Sequence, residues 1–206
     1  MFGTKIWDFY ASWYEKLWVQ KFVLKPSRRF IIETLKELPL PGRILDVGCG
    51  IGQLCNDLKN QFPPVIITGI DISSKMIERA KSLYNYSEIR FISGQAEDLP
   101  ENETYDYIVS THAFPYIEDK KKFLAEMKKR LNPNGRLFLI FGNNNNLYDA
   151  CVFKIVKLTT SKAEYLSVEK TSKLLNESGF KTGKIKRIKS AFFIPSVYLI
   201  EGINIG

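Results

Sequence analysis

The residues best placed to do chemistry follow one short apolar run: Ile44-Leu45-Asp46-Val47-Gly48-Cys49-Gly50-Ile51-Gly52. Glycines at alternate positions let the chain turn sharply and let a ligand approach main-chain atoms. A dinucleotide fingerprint, G-x-G-x-x-G, needs glycine at position 53, where Gln53 stands. Asp46 stands two residues before the first glycine, where its charge opposes a pyrophosphate and suits a cationic ligand. A second acid, Asp71, ends the next apolar run in Gly69-Ile70-Asp71-Ile72-Ser73. A carboxylate there can accept two hydrogen bonds from a ribose diol, each worth ~1.5–3 kcal/mol when buried. Ile72 and Met76 lie near enough in the chain to sandwich a flat base.

Such residues need a scaffold that brings strand ends together. Short apolar runs at 44–47, 65–70, 89–92, 105–110 and 136–141 read as strands. Between them, helical patterns run to about Gln61, from Ser73 to about Tyr84, and over 119–130. Strands alternating with helices of this length predict parallel βαβ units. The expected fold is therefore α/β, a Rossmann-like open twisted sheet with helices on both faces. Ligands of such sheets bind at the carboxyl ends of the strands. Runs at 180–189 and 197–201 are joined too closely for a helical crossover, so the sheet is mostly parallel with an antiparallel C-terminal strand.

Around this core, residues 5–23 and 27–38 read as helices, the second stopped by Pro39, Pro41 and Gly42. Asn143 to Asn146 read as a loop, 147–166 as a helix or irregular insertion, and 167–178 as a helix closed by Gly179. The turn Asn132-Pro133-Asn134-Gly135 precedes the fifth strand. One domain is expected over 1–206, with a helical arm or lid at 1–40, a ligand-binding core at 41–142, and substrate-side segments at 143–206. Lys120-Lys121-Lys122 and Lys128-Lys129-Arg130 are expected on the solvated face of their helix.

Composition narrows the function classes. The chain has 206 residues, 45% hydrophobic and 25% charged, the balance of a soluble globular protein. The lone His112 cannot supply a histidine metal centre, and no metal site is expected. Cys49, Cys55 and Cys151 lack CxxC spacing and read as buried fillers. No signal peptide or membrane-length apolar run is visible, so a cytoplasmic location is expected. The net charge of +8 is uneven: residues 1–40 carry +3, 41–142 zero, and 143–206 +5. A neutral core with basic flanks argues against a general nucleic-acid binder. It favours an acceptor, or an acceptor-bearing surface, that is anionic as well as partly apolar.

In order and spacing together, five motifs resemble the class I S-adenosylmethionine-dependent methyltransferases, and most of all the small-molecule group that includes quinone-biosynthesis enzymes. They are LDVGCGIG at 45–52, GIDIS at 69–73 with Met76, SGQAEDLP at 93–100, YDYIVSTHAF at 105–114 and LNPNGRLFLI at 131–140. The resemblance implies S-adenosylmethionine as cofactor and S-adenosylhomocysteine as product. It implies that Asp46, Gly48, Gly50 and Gly52 meet the methionyl part and that Asp71 binds the ribose. Ile72 and Met76 would pack on adenine, with Gln95, Ala96 and Glu97 along its edge. Ser110 and Thr111 would lie beside the sulfonium. Many relatives carry an acid at position 95, where Gln95 offers an uncharged amide oxygen. Many also carry a His pair where this chain has Pro115-Tyr116.

Methyl transfer is an in-line displacement for which alignment matters most. A base is needed only when the acceptor must lose a proton at or before attack. The candidates are His112, Tyr116, Tyr10 and Tyr14. His112 has two readings from sequence: a base for the acceptor, or a polar residue hydrogen-bonded at a strand end. In the arm, Trp7, Tyr10, Tyr14 and Trp18 share one helical face, read as packing, as a lid in which Tyr10 meets the cofactor, or as an interfacial helix. The acceptor expected is a small molecule. DNA is not expected; RNA, protein, a peripheral membrane contact and a non-catalytic binding role remain as alternatives.

Overall fold

A computed structural model of the chain describes residue 8 and residues 19–160, 163–188 and 194–206, apart from the side chains of 157–160. Seven strands form one sheet: β1 (Arg43–Val47), β2 (Ile66–Asp71), β3 (Ile89–Ser93), β4 (Tyr105–Thr111), β5 (Leu131–Gly142), β6 (Phe180–Ile188) and β7 (Val197–Asn204). Their spatial order is β3-β2-β1-β4-β5-β7-β6. The first five strands pair in parallel, and β7 runs antiparallel to both β5 and β6. Chain order reverses between β1 and β4, and at such a switch point the flanking loops part to leave a crevice.

The helices are α1 (Lys25–Lys36), α2 (Gln53–Gln61), α3 (Ser74–Leu83), α4 (Lys120–Arg130), α5 (Leu147–Thr160) and α6 (Val168–Glu177). They cover both faces of the sheet, as expected. On one face Ile44, Ile67, Val109 and Ile140 pack with Ile31 and Leu35 of α1 and Leu54 and Leu58 of α2. On the other, Leu45, Ile108 and Leu139 pack with Leu124 and Met127 of α4 and Leu175 of α6. Side chains burying both faces explain why these strands read as continuous apolar runs. No helix among the described residues is long and apolar enough to cross a membrane.

Three local readings change, while Asn143 to Asn146 form the expected loop. The helix expected from 27 is continuous with residues before it: a π-helical turn at Gln20–Leu24 leads into α1 despite Pro26. Proline has no N–H to give the preceding turn and its ring crowds that turn's carbonyl, so the helix widens instead of breaking. The turn at Asn132–Gly135 lies inside β5, where Tyr105 pairs with Leu131 but Tyr107 pairs with Arg136. Asn134 adopts φ +62 there, and Asn132 donates to the Asp106 carboxylate at 2.8 Å.

The asparagine run is a fitted junction. Asn146 Oδ1 accepts from Asp149 N at the start of α5, and Asn145 Oδ1 accepts from Val168 N at the start of α6. Asn143 is fully buried and donates through its backbone N–H to Ser196 O at 2.7 Å. The third change concerns α4, whose end residues are not solvated. Lys120 is buried and donates to Ile117 O at 2.9 Å while pairing with Glu164 at 3.0 Å. Arg130 is 3% exposed; it bonds Glu126 at 2.7 Å and the carbonyls of Leu99 and Pro100 at 2.9 Å each. Trp7, Tyr10, Tyr14 and Trp18 of the aromatic arm, with Phe192 and Phe193, lie outside the described residues.

Arg130→Met leaves two carbonyls and Glu126 without their donor. It is expected to destabilise the fold by ~2–4 kcal/mol, whereas exposed Lys129→Met changes stability by less than ~0.5 kcal/mol. Denaturant unfolding of the two variants checks this.

Candidate cofactor and acceptor site

The glycine loop is tied down by its own amides. Gly48 and Cys49 donate to Ile70 O at 2.8 and 3.1 Å, Gly50 donates to Asp71 Oδ2 at 2.9 Å, and Gly52 donates to Cys49 O at 3.0 Å. An anion-binding loop must aim its N–H groups at the ligand. Here they are spent on the end of β2, so the loop is unsuited to a phosphate, in line with the glycine spacing. Gly48 and Gly52 adopt φ +76 and +78. A Cβ on Gly48 would overlap that of Ala113, and one on Gly52 would stand 2.6 Å from the Phe91 ring.

The two acids stand at the ends of adjacent strands. Asp71 accepts from Gly50 N through Oδ2 and from Ser73 N, also at 2.9 Å, through Oδ1. Both bonds fix the carboxylate, and each oxygen keeps a lone pair for a ligand hydroxyl. Burial pushes its pKa up, opposed by those two amides. Asp46 is fully buried; Oδ2 accepts from the Cys55 thiol at 3.5 Å and Oδ1 has no hydrogen-bond partner. Burial raises its pKa to about 7; the Cys55 bond opposes the rise, the Asp71 charge adds to it, and Arg28 opposes it. A buried carboxylate with an orphaned oxygen is costly unless a ligand answers it, and a cationic ligand does so. The residues present therefore fit S-adenosylmethionine, with its ammonium, sulfonium and ribose diol.

Other expected positions fall around these acids. Ile72 is 51% exposed, whereas Met76 is 2% exposed, so Ile72 offers the open apolar surface of the pair. Ala96 is buried in a 3-10 turn (Ala96–Asp98), and exposed Gln95 leads into it with its N–H bonded to Asp98 Oδ2 at 2.7 Å. Glu97 pairs with Lys122 at 3.4 Å. At the end of β4, Ser110 is fully buried with its hydroxyl unpartnered, and Thr111 is partly exposed. His112 follows at φ +60, its N–H bonded to Ile140 O at 2.6 Å and its Nε2 placed 2.8 Å from Ser27 Oγ. Burial pushes its imidazole pKa down to about 4, so the ring is neutral at pH 7. Tyr116 Oη lies 3.3 Å from Tyr165 Oη. Tyr10 and Tyr14 lie outside the described residues.

Two contributors, Arg28 and Asp8, were missed from sequence, whereas a third, Phe153, falls in the substrate-side segment expected at 143–206. Arg28 of α1 reaches over the loop to Gln53 Oε1 and Asp57 Oδ2, both at 2.9 Å, and to Gln20 Oε1 at 3.3 Å. A readable signal existed: Arg28 interrupts the stripe continued by Ile31, Ile32 and Leu35. Asp8 accepts from Ser73 Oγ at 2.5 Å, which places Asp8 at the end of β2. Phe153 of α5 stacks on Tyr165, with ring centres 4.0 Å apart and planes at 8°. They line a cavity of about 120 Å³ with Asn144, Ala150 and Lys154. Phe153 also covers the end of β5, where a Cβ on Gly142 would meet its ring at 2.5 Å.

Sheet order, glycine loop and paired strand-end acids are those of the class I S-adenosylmethionine-dependent methyltransferases. Within that class, residues 44–135 carry the family described as "Methyltransferase domain". The chain is 28% identical over 209 residues to malonyl-[acyl-carrier protein] O-methyltransferase of Priestia megaterium, covering 94% of this chain and 73% of that protein. It is 26% identical over 202 residues to demethylmenaquinone methyltransferase of Thermotoga maritima, covering 87% and 83%. Another malonyl-[acyl-carrier protein] O-methyltransferase, from Halalkalibacterium halodurans, is 35% identical over 50% of this chain, which spans only 40% of its length.

The fold recurs in the Haloferax volcanii complex of the Trm112 activator with a methyltransferase (TM-score 0.80, 16% identity, 96% of this chain and 97% of that one). It recurs in magnesium protoporphyrin IX methyltransferase of Synechocystis, solved with S-adenosylhomocysteine (TM-score 0.71, 20% identity, 91% and 87%).

The burial of Asp46 sets a pH dependence. With its folded pKa raised to about 7 from 3.8, the wild type loses stability as pH rises between those values. Asp46→Asn lacks this penalty. The variant without cofactor is expected to exceed the wild type by ~4 kcal/mol above pH 7, with the gain gone below about pH 4. Unfolding of both proteins across that range, without cofactor, checks the sign.

Proposed function

We propose that this enzyme methylates a small acceptor that joins an apolar or aromatic body to an anionic group. The observation that carries the reading is the stacked Phe153–Tyr165 pair beside a cavity that Lys154 and Asn144 also line. A flat or apolar body suits the aromatic wall, and Lys154 suits an acid. The +5 carried by residues 143–206 supports the same class.

S-adenosylmethionine supplies the methyl group on a sulfonium already activated by its charge. Asp46 answers the cofactor's positive charge, while Gly48, Gly50 and Gly52 let its methionyl part lie against the main chain. Arg28 provides the cation that the methionyl carboxylate requires. Asp71 accepts from the ribose hydroxyls, Ile72 and Met76 flank the base, and Gln95, Ala96 and Glu97 border it. Ser110 and Thr111 line the floor under the methyl group. His112 accepts the acceptor's proton when the attacking atom is a hydroxyl or an acidic carbon. Tyr116, paired with Tyr165, orients the acceptor.

The relatives favour a second reading within the same class. A malonyl group ends in a carboxylate, which needs no base because it is already ionised at pH 7. The two readings separate at His112. With a phenol or acidic-carbon acceptor, His112→Gln is expected to lower kcat ~100-fold or more with cofactor affinity retained. With a carboxylate acceptor the rate stays within about twofold.

A transfer screen with radiolabelled methyl donor, pairing each acid with its neutral amide, is expected to favour the acid by ~10-fold, less so at high salt. Equal rates on acids and amides at all salt concentrations would remove the anionic group from the proposal. Asp71→Ala is expected to weaken S-adenosylmethionine binding ~10–100-fold by calorimetry. Unchanged affinity would take Asp71 out of the ribose role.

A further inference from the structure

Ser27 sits in the first turn of α1 and is fully buried. Its hydroxyl lies 2.8 Å from Val23 O and 2.8 Å from His112 Nε2. A serine hydroxyl has one proton and two lone pairs. A carbonyl can only accept, so the bond to Val23 O uses the Ser27 proton. The bond to His112 then requires Ser27 Oγ to accept, and the proton in that bond must belong to Nε2. In the opposite tautomer Nε2 has no proton. Ser27 would have to turn its own proton to the ring and abandon Val23 O, leaving one bond where there were two.

The backbone makes this pairing specific. Pro26 and the π-helical turn before it set the rotation of α1 from which Ser27 reaches His112. On the other side, φ +60 at His112 and its N–H bond to Ile140 O fix the ring's origin at the carboxyl ends of β4 and β5. A left-handed backbone at a residue other than glycine costs energy and persists only where its surroundings hold it. Nδ1 has no hydrogen-bond partner among the described residues.

We propose that Ser27 is a positioning residue that holds His112 as the neutral imidazole protonated at Nε2, which leaves the Nδ1 lone pair as the proton acceptor. The base role given to His112 above thereby gains an atom. The inference rests on that role for its consequence in catalysis, but the tautomer itself does not. In the transfer, a bond forms between the acceptor atom and the methyl carbon as the carbon–sulfur bond breaks. The acceptor's proton passes to Nδ1, and the resulting imidazolium keeps its Nε2–H bond to Ser27. The proton later leaves to water, restoring the neutral ring.

His112 is the only histidine in the chain, so ring-nitrogen NMR of the ¹⁵N-histidine-labelled protein gives one pair of signals. At pH 7 the expected spectrum has a protonated Nε2 and an unprotonated Nδ1. A protonated Nδ1, an averaged pair, or a doubly protonated ring overturns the proposal. Ser27→Ala is expected to erase the preference and lower kcat at least ~10-fold for a phenolic acceptor, with KM for S-adenosylmethionine unchanged. Ser27→Thr, which keeps the hydroxyl, restores both readouts, and failure to restore them counts against the proposal. The wild-type spectrum decides the tautomer even if Ser27→Ala does not fold. If the spectrum is as expected but His112→Gln transfers methyl to a phenol at the wild-type rate, the base role fails and the tautomer stands.

Discussion

The bond from Gly50 N to Asp71, with the paired bonds from Gly48 and Cys49 to Ile70 O, joins the glycine loop to the end of β2. Most of the site depends on that junction. It requires β1 and β2 to lie in parallel register, with Asp46 opposite Gly69 and Val47 opposite Ile70. It also requires Gly69, because the sulfurs of Cys55 and Cys49 stand 2.9 and 3.0 Å from where its Cβ would be. Cys49 and Cys55 are therefore packing atoms under the loop, whereas Cys151 is exposed and is not the buried filler expected. Once the loop is drawn onto β2, the Asp71 carboxylate is held in place and Asp46 is sealed behind the glycines.

Sealing Asp46 sets function against stability. A carboxylate with an unpartnered oxygen inside the protein opposes folding, and the rest of the core must outweigh it. Ser110 repeats the pattern on the next strand with a neutral hydroxyl. Unanswered polar groups at adjacent strand ends are a poor way to stabilise a fold and a direct way to build a site complementary to something absent. Arg130 and Lys120, by contrast, are buried with partners, three for Arg130 and two for Lys120.

Much of this was legible in the chain. Strands buried on both faces write themselves as apolar runs, and the glycine spacing with Asp46 and Asp71 pointed to the ligand's charge before any coordinate. Ser73 capping its helix and Gly179 ending another were local signals, and local chemistry carries them. What was illegible is long-range. Ser27 and His112 are 85 residues apart and meet only through the sheet. The burial of Lys120 and Arg130 depends on carbonyls and acids from other segments, so their composition suggested solvent. Residues 5–23 and 27–38 read as separate helices, whereas packing of α1 on the sheet carries the helix through Pro26. The asparagine run read simply as a loop because the side chains of Asn143, Asn145 and Asn146 each serve a different neighbour.

The spent amides of the glycine loop also govern its motion. A loop that waits for its ligand to satisfy its N–H groups exchanges them freely with water when empty. Here the amides of Gly48, Cys49 and Gly50 already close on β2, so their hydrogens exchange only when the loop breathes away from the sheet. A ligand then meets a crevice whose floor is rigid beforehand, so little ordering of the loop is left for binding to bring about.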